Sequence, residues 1–386
     1  MNNTIRKLTP FFLIVILLLL NTCNNTPSDK PSDDQTGKNL FPIPAIEYQP
    51  RQYVCYRTTE NIEIDGEISE SAWRKANQTE AFVDIEGSLK PNPRFATHAR
   101  MLWDSSYFYI AAQMEEPHLW ATLTERDAVI YHDNDFEVFI DPDGDTHEYY
   151  ELEINALGTE WDLLLMKPYR DGAPAVNAWD IAGLKSAVAL DGTLNDPGDI
   201  DSGWSVEIAI PWRVLAECAH RPSPPQDGDV WWVNFSRVQW HLNATDSGYE
   251  KQMDSTGEKS LPENNWVWSP QGLIAMHYPE MWGLVQFSQS EVGNREIKFV
   301  PPDDLEARWA LRLVYYAERE YEANNGVYTS DFSKLGIRDI TPDGYSWPPN
   351  IFTSDRNFEA IVTSTDTPVS LSIDTYGHIT TYSDQE

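Results

Sequence analysis

Two carboxylates, Glu137 and Glu153, stand where their type and spacing could do chemistry. Phe136-Glu137-Val138-Phe139-Ile140 alternates, as does Tyr150-Glu151-Leu152-Glu153-Ile154-Asn155. Between them lie the turn formers Asp141-Pro142-Asp143-Gly144-Asp145-Thr146-His147. Folding back with Val138 opposite Leu152 sets Glu137 opposite Glu153. Phe136, Val138, Ile140, Tyr150, Leu152 and Ile154 then share the other, buried face. Like charges facing each other across a ladder are destabilising, so the pair requires water, a cation, an arginine or a hydroxyl-rich ligand. The same pair could act as acid and base or nucleophile in a glycoside hydrolase cleaving O-glycosyl bonds. Asp141, Asp143 and Asp145 offer oxygen ligands for calcium, although Gly144 is misplaced for an EF-hand loop and a solvated acidic turn is the other reading. Met276-His277 raises a haem-binding sandwich domain, but adjacent residues cannot both be axial on one iron. Zinc motifs, a nucleophile elbow and a phosphate-cradling glycine loop are absent from the sequence.

The elements that must position these residues are mainly β. From residue 62 to 287 short alternating segments are separated by turn signals, which predicts a β-sandwich of immunoglobulin-like or jelly-roll type over residues 51–290. Ser69 caps a short helix carrying Trp73. Arg100-Met101-Leu102-Trp103 and residues 107–114 form a hairpin, and Val206, Ile208 and Ile210 mark a strand stopped by Pro211. Residues 231–240 read as a long central strand with Trp231, Val233 and Phe235 inward and Asn234 and Ser236 outward. A small α+β unit over residues 301–386 follows. Its helix is capped by Asp303 or Asp304, carries the stripe Leu305, Trp309, Leu313, Tyr316, Ala317 and Tyr321, and ends at Asn325-Gly326. Strands near Phe358, Val369 and His378 complete it as an antiparallel sheet.

The 386 residues include 61 Asp and Glu against 28 Lys and Arg, a net charge of −33 with histidines neutral. That sign argues against nucleic acid as a partner and suits neutral or cationic ligands. Residues 1–22 read as a lipoprotein signal peptide, in which Arg6 and Lys7 precede an apolar run too short to span a bilayer comfortably. Leu20-Asn21-Thr22-Cys23 resembles a bacterial lipobox with Cys23 as the acylated residue, although Thr22 is bulkier than usual there. Residues 23–50 have the polar, Pro- and Ser-rich beginning of a lipid-anchored flexible tether. The expected location is extracytoplasmic, at the outer membrane of a Gram-negative bacterium, with membrane contact through the anchor only. Cys55 and Cys218 form an even pair, read as a disulfide or as two buried thiols.

Fifteen tryptophans are an excess. Aromatic faces stack on the C–H surfaces of sugars while carboxylates and amides accept from hydroxyls. Several motifs then occur in order: Ile64-Asp65-Gly66-Glu67 to Trp73, Leu102-Trp103-Asp104-Ser105-Ser106-Tyr107, Asp135-Phe136-Glu137-Val138-Phe139-Ile140-Asp141-Pro142, Val206-Glu207-Ile208-Ala209-Ile210-Pro211-Trp212, and Trp268-Ser269-Pro270 leading to Trp282-Gly283. Over residues 62–288 they resemble the family-nine carbohydrate-binding modules, in the form attached to lipoproteins and polysaccharide-degrading enzymes. The resemblance implies a sandwich that holds a mono-, oligo- or polysaccharide between two aromatic walls without catalysis of its own. The implied role is support of polysaccharide breakdown or uptake beside glycan-degrading enzymes, with no required cofactor and with structural calcium as the ion that related modules hold. Carried over residue by residue, Tyr131 stands for one stacking tryptophan, and Met276 and His277 occupy the neighbourhood of the second. Glu137 matches a sugar-binding glutamate, Glu153 replaces a hydroxyl-binding arginine, and Asn155 is retained. Trp179 and Trp268 are candidates for a substitute wall. Arg237 is the candidate to neutralise the glutamates, although alternation points it inward with Phe235 unless a bulge re-aims it. In the C-terminal unit, Tyr315-Tyr316-Ala317-Glu318 and Gly326-Val327-Tyr328-Thr329-Ser330 resemble the globular part of type IV pilin-like proteins. The hydrophobic assembly helix of a pilin is missing, so pilus building does not carry over.

Overall fold

Alternating apolar residues make the strands here, and the computed structural model describes them for residues 42–338 and 340–383. Cys23, residues 1–22 and most of the tether therefore lie outside the described residues. The chain opens with β1 (Gln52–Arg57), the short helix α1 (Ser71–Lys75), β2 (Val83–Asp84) and the hairpin of β3 (Thr97–Trp103) and β4 (Tyr107–Glu115). A meander follows, of β5 (Asp135–Asp141), β6 (Tyr149–Asn155), β7 (Glu160–Leu165) and β8 (Ala175–Val176). Next come β9 (Lys185–Asp191), β10 (Gly203–Pro211), the single turn α2 (Trp212–Leu215) and the long strand β11 (Val230–Gln239). The hairpin β12 (Leu242–Thr245) and β13 (Gly248–Lys251), then β14 (Asn264–Val267) and β15 (Gly283–Glu291), complete the sandwich.

The hydrogen-bonded path runs β8-β7-β6-β5-β11-β15-β1-β3-β4-β10-β9, with β14 on β11 and β2 on β14. The path doubles over, and one core forms where its halves meet. Phe136, Val138, Leu152 and Ile154 from the β5–β6 half pack with Ile110 and Val206 from the β4–β10 half. The β5–β6 register has Val138 opposite Leu152 and Glu137 opposite Glu153, as the alternation requires. Trp231, Val233 and Phe235 enter the same core from β11. Cys55 and Cys218 are also part of it as free thiols, so of the two readings of this pair the structure has the buried, apolar-like cysteines.

Glu207 ties two of the sequence motifs together. Wholly buried on β10, it accepts from Trp73 Nε1 at 2.7 Å and from the backbone N–H groups of Asp65 and Gly66 at 3.1 and 3.0 Å. Gly66 has φ +89°, and a Cβ there would lie 2.5 Å from the Ala189 nitrogen. The Asp-Gly turn is thus fixed by glycine on one side and by a carboxylate on the other.

Residues 42–50 are not free tether. Ala45 N–H donates to the Gly272 carbonyl at 3.0 Å, and Tyr48 stacks on Trp309 with ring centroids 4.3 Å apart. Trp309 belongs to α3 (Leu305–Asn325), which Asp304 precedes and Gly326 ends in a left-handed conformation, φ 74°. The four-stranded antiparallel sheet β16 (Asn350–Thr353), β17 (Phe358–Thr363), β18 (Val369–Asp374), β19 (Ile379–Ser383) packs on this helix through Phe358, Val362, Leu371 and Ile373. The buried helical residues are Ala307, Ala310, Leu311, Arg312, Val314, Tyr315, Tyr316 and Glu318. Of the expected stripe only Tyr316 is fully buried, because the helix is covered by the small sheet on one side and by the sandwich on another.

Replacing Glu207 by Gln turns an N–H2 group toward donors that need an acceptor. The expected cost is about 1–3 kcal/mol of stability, read as a lower denaturant midpoint at unchanged slope. An unchanged midpoint would show that this carboxylate does not secure the turn.

Candidate functional site

Period-two alternation puts Asp135, Glu137 and Phe139 of β5 on the outer face of the sheet, with Glu151, Glu153 and Asn155 of β6 beside them. Trp161 and Leu163 of β7 continue that face on one side, and Asn234 and Ser236 of β11 on the other. The carboxylates are sunk among their neighbours on this face. Asp135, Glu137, Glu151 and Glu153 are 0, 5, 5 and 2% exposed, so water does not solvate them freely. Burial pushes the Glu137 carboxyl up to about 7, with Glu263 adding to the effect. Burial, then the charge of Glu137, holds Asp135, Glu151 and Glu153 well above the ordinary carboxylate range.

A short 3-10 turn, Ile130–His132, carries Tyr131 over the edge of this floor. The backbone N–H of Tyr131 donates to Glu153 Oε2 at 2.9 Å, and its carbonyl accepts from Trp240 Nε1 at 2.9 Å. Its ring is 36% exposed and lies 6.5 Å from Trp161, centroid to centroid. Asp133 secures the turn from below, accepting from the N–H groups of Thr122 and Leu123 at 2.7 and 2.8 Å. Lys251 Nζ sits 3.2 Å from the Trp240 ring centre, a cation–π contact that packs the far side of the same turn.

The predicted site residues divide into two groups. Tyr131, Glu137, Glu153 and His277 share the outer face. His277 shares a 2.9 Å hydrogen bond with the Tyr149 hydroxyl and packs edge-on to Tyr169 at 4.5 Å. Burial, then the positive charge of Arg170, lowers its pKa to about 3, so the ring is neutral. Asn155 is on this face too, but its amide is consumed internally. It donates to Leu123 O and Asp133 Oδ2 at 2.9 and 3.0 Å and accepts from Leu157 and Thr159 N–H at 3.0 Å. It shapes the loop and has no valence left for a ligand.

Three candidates lie elsewhere. Arg237 keeps strict alternation without a bulge and points inward, 1% exposed, where it binds Glu116, Thr97 and Gln239 at 3.1, 3.0 and 2.7 Å. It does not reach the glutamate pair. Trp268 is fully buried in the core against Tyr53 and Phe235. Trp179 packs on Tyr150, an inward residue, and donates to Glu217 at 3.0 Å. Neither forms a wall of the outer face. Sequence reasoning passed over Asp135, Glu151 and Trp161, although two-residue spacing from Glu137 and Glu153, extended across β7, would have found all three.

Asp141, Asp143 and Asp145 form a separate group, each with a carboxylate oxygen within 4.8 Å of the others. Their own loop uses most of that capacity. Asp141 accepts from Gly144 and Thr146 N–H at 2.9 Å, and Asp145 accepts from His147 N–H and from His378 Nε2 at 2.7 and 2.8 Å. Gly144 is required by packing, since a Cβ there would stand 2.5 Å from the Trp232 ring.

Residues 64–258 match the family model described as carbohydrate family 9 binding domain-like. The chain is 27% identical over 161 residues to endo-1,4-beta-xylanase A of Thermotoga maritima and 29% identical over 152 residues to exoglucanase XynX of Acetivibrio thermocellus. These matches cover 42 and 39% of this chain but 12% of each relative's length. Among solved structures, a family 9 carbohydrate-binding module of Caldicellulosiruptor kristjanssonii in complex with cellotriose aligns with a TM-score of 0.39 and 13% identity. That alignment covers 65% of this chain and all of that one.

Trp268→Ala is expected to cost about 3–5 kcal/mol in stability, as deletion of a core tryptophan does. Trp161→Ala, at a half-buried position on the outer face, should cost far less. Equal thermal stability of the two variants would contradict this assignment of faces.

Proposed function

This chain belongs to the carbohydrate family 9 binding domain-like family, and from that premise we propose that it binds a saccharide on the outer face of β5, β6 and β7 without cleaving it. One observation carries the reading: the exposed ring of Tyr131 stands near Trp161 beside a floor of carboxylates. An aromatic face takes the C–H surface of a sugar, and carboxylates accept from its hydroxyls. The strongly negative chain favours a neutral ligand over an anionic one.

The arrangement of the glutamates favours binding over hydrolysis. A glycosidase needs two carboxyl groups flanking the scissile bond, about 5–5.5 Å or about 6.5–9.5 Å apart. Glu137 and Glu153 are neighbours on adjacent strands, present carboxylate oxygens within 4.8 Å of each other, and rise from one face. They would approach a sugar from the same side. Glu153 is moreover engaged in holding the Tyr131 turn.

The anchor belongs to the same proposal. An acylated Cys23 would keep the saccharide site at the outer membrane surface, beside glycan-degrading enzymes, and Cys23→Ser would release the protein into the soluble fraction. If that variant stays with the membrane, the anchor is not at Cys23.

A glycan-array screen of the purified protein is expected to give binding without release of reducing sugar. Tyr131→Ala should weaken it roughly tenfold, the equivalent of about 1.4 kcal/mol lost from one stacking contact. No glycan bound by folded protein, or product release abolished by Glu137→Gln, would overturn the proposal.

A further inference from the structure

When ionised, four acidic side chains on one face need a counter-charge, and no ion pair among the described residues supplies it. None of the ion pairs among the described residues reaches Asp135, Glu137, Glu151 or Glu153. Arg237, the basic residue closest in register on β11, is turned to the core and bound to Glu116. Asp135, Glu137 and Glu153 each offer a carboxylate oxygen, and these oxygens all lie within 4.8 Å of one another. Oxygens sharing one calcium at about 2.3–2.6 Å can be up to about 5 Å apart, so the three fit a common ion.

A second observation comes from oxygens that the cluster's own hydrogen bonds leave over. Asp135 Oδ1 accepts from Val238 N–H at 3.2 Å, but Asp135 Oδ2 is buried with no hydrogen-bond partner. Glu151 Oε2, from outside the three, is likewise buried and unpartnered. Glu151 lies two residues along β6 from Glu153 on the same face, and its charge is felt by Asp135 and Glu153. Unpaired buried acceptors of this kind call for a donor or a metal. The set contains only oxygen, which selects hard cations over zinc or copper.

We propose that Asp135, Glu137 and Glu153, backed by Glu151, bind one divalent cation of the calcium class on the outer face of β5 and β6. This site is distinct from the Asp141, Asp143 and Asp145 loop, whose carboxylates are largely engaged by their own backbone and by His378. The ion resolves the glutamate pairing: it converts a repelling pair into two ligands of one centre. A saccharide beside Tyr131 would supply hydroxyl oxygens as further ligands, a consequence that rests on the saccharide reading, whereas cation binding itself does not.

The test uses the full chain stripped with a chelator and titrated with calcium chloride, with no saccharide present. Calorimetry and thermal unfolding are run on wild type, Glu153→Gln and Asp143→Asn. The wild type should bind calcium and melt higher with it. Glu153→Gln should lose at least tenfold in calcium affinity, yet melt no lower than the wild type in chelator, because one of two facing charges is gone. Asp143→Asn should retain the Glu153-dependent calcium site. Asp135→Asn gives a second reading of that site. A wild type indifferent to calcium, or a calcium response unaltered in both Glu153→Gln and Asp135→Asn, would overturn the proposal. Because sugar is left out, failure here would not count against saccharide binding.

Discussion

The placement of Glu137 opposite Glu153 is the constraint on which the functional face depends. The register is imposed from the other side of the strands, where Phe136, Val138, Leu152 and Ile154 must enter the core. A slip of one residue would bury four carboxylates among them instead. Hydrophobic burial on one face therefore compels charge on the other, and the protein covers that charge. Part of the compensation is local: Glu153 accepts from the Tyr131 backbone and so converts an awkward charge into the support of an aromatic ring. Glu153 thus fixes the turn that presents Tyr131.

The sandwich and the C-terminal unit are tied by a buried polar network. Arg170 pairs with Glu280 at 2.9 Å and lies over Tyr278 at 4.1 Å. Glu280 accepts from the Tyr316 hydroxyl, and Asp171 accepts from Tyr315 at 2.5 Å. Arg312 donates to Thr146 at 3.1 Å, in the acidic loop beyond β5. Burial, and after it the charge of Arg170, keeps His277 neutral, so the docked helix and the edge of the functional face share one cation. Buried charges of this kind are stable only when paired and hydrogen-bonded, which makes the helix face specific for this partner surface. The family match ends at residue 258 and does not extend to this unit.

Much of the fold was legible because strand alternation and turn residues are local signals. The β5–β6 register, the β3–β4 hairpin, the inward set on β11 and the ends of α3 all follow from spacing alone. The stripe of α3 departs from the expected one because Arg312 is buried against Thr146 and Glu280, distant in sequence, and Glu318 against the Thr329 backbone just beyond the helix. The candidate site was legible only in part. Alternation correctly turned Arg237 inward; the wish for a counter-charge argued the other way, and Glu116 proved to be its partner. Trp268 and Trp179 were chosen for being tryptophan, although residue type cannot say which side of a sheet is reached. Asn155 matched the family pattern in type, yet its hydrogen bonds are all spent on its own loop. Trp161 and Glu151 were available from the same parity rule that exposed Glu137 and Glu153.

Hydrogen–deuterium exchange with and without the strongest glycan from an array tests the central claim most directly, because it reports where the protein is covered. The account predicts slowed exchange confined to the turn at Ile130–His132 and to β5, β6 and β7. Protection confined to any other surface, or none at a saturating glycan concentration, would contradict it.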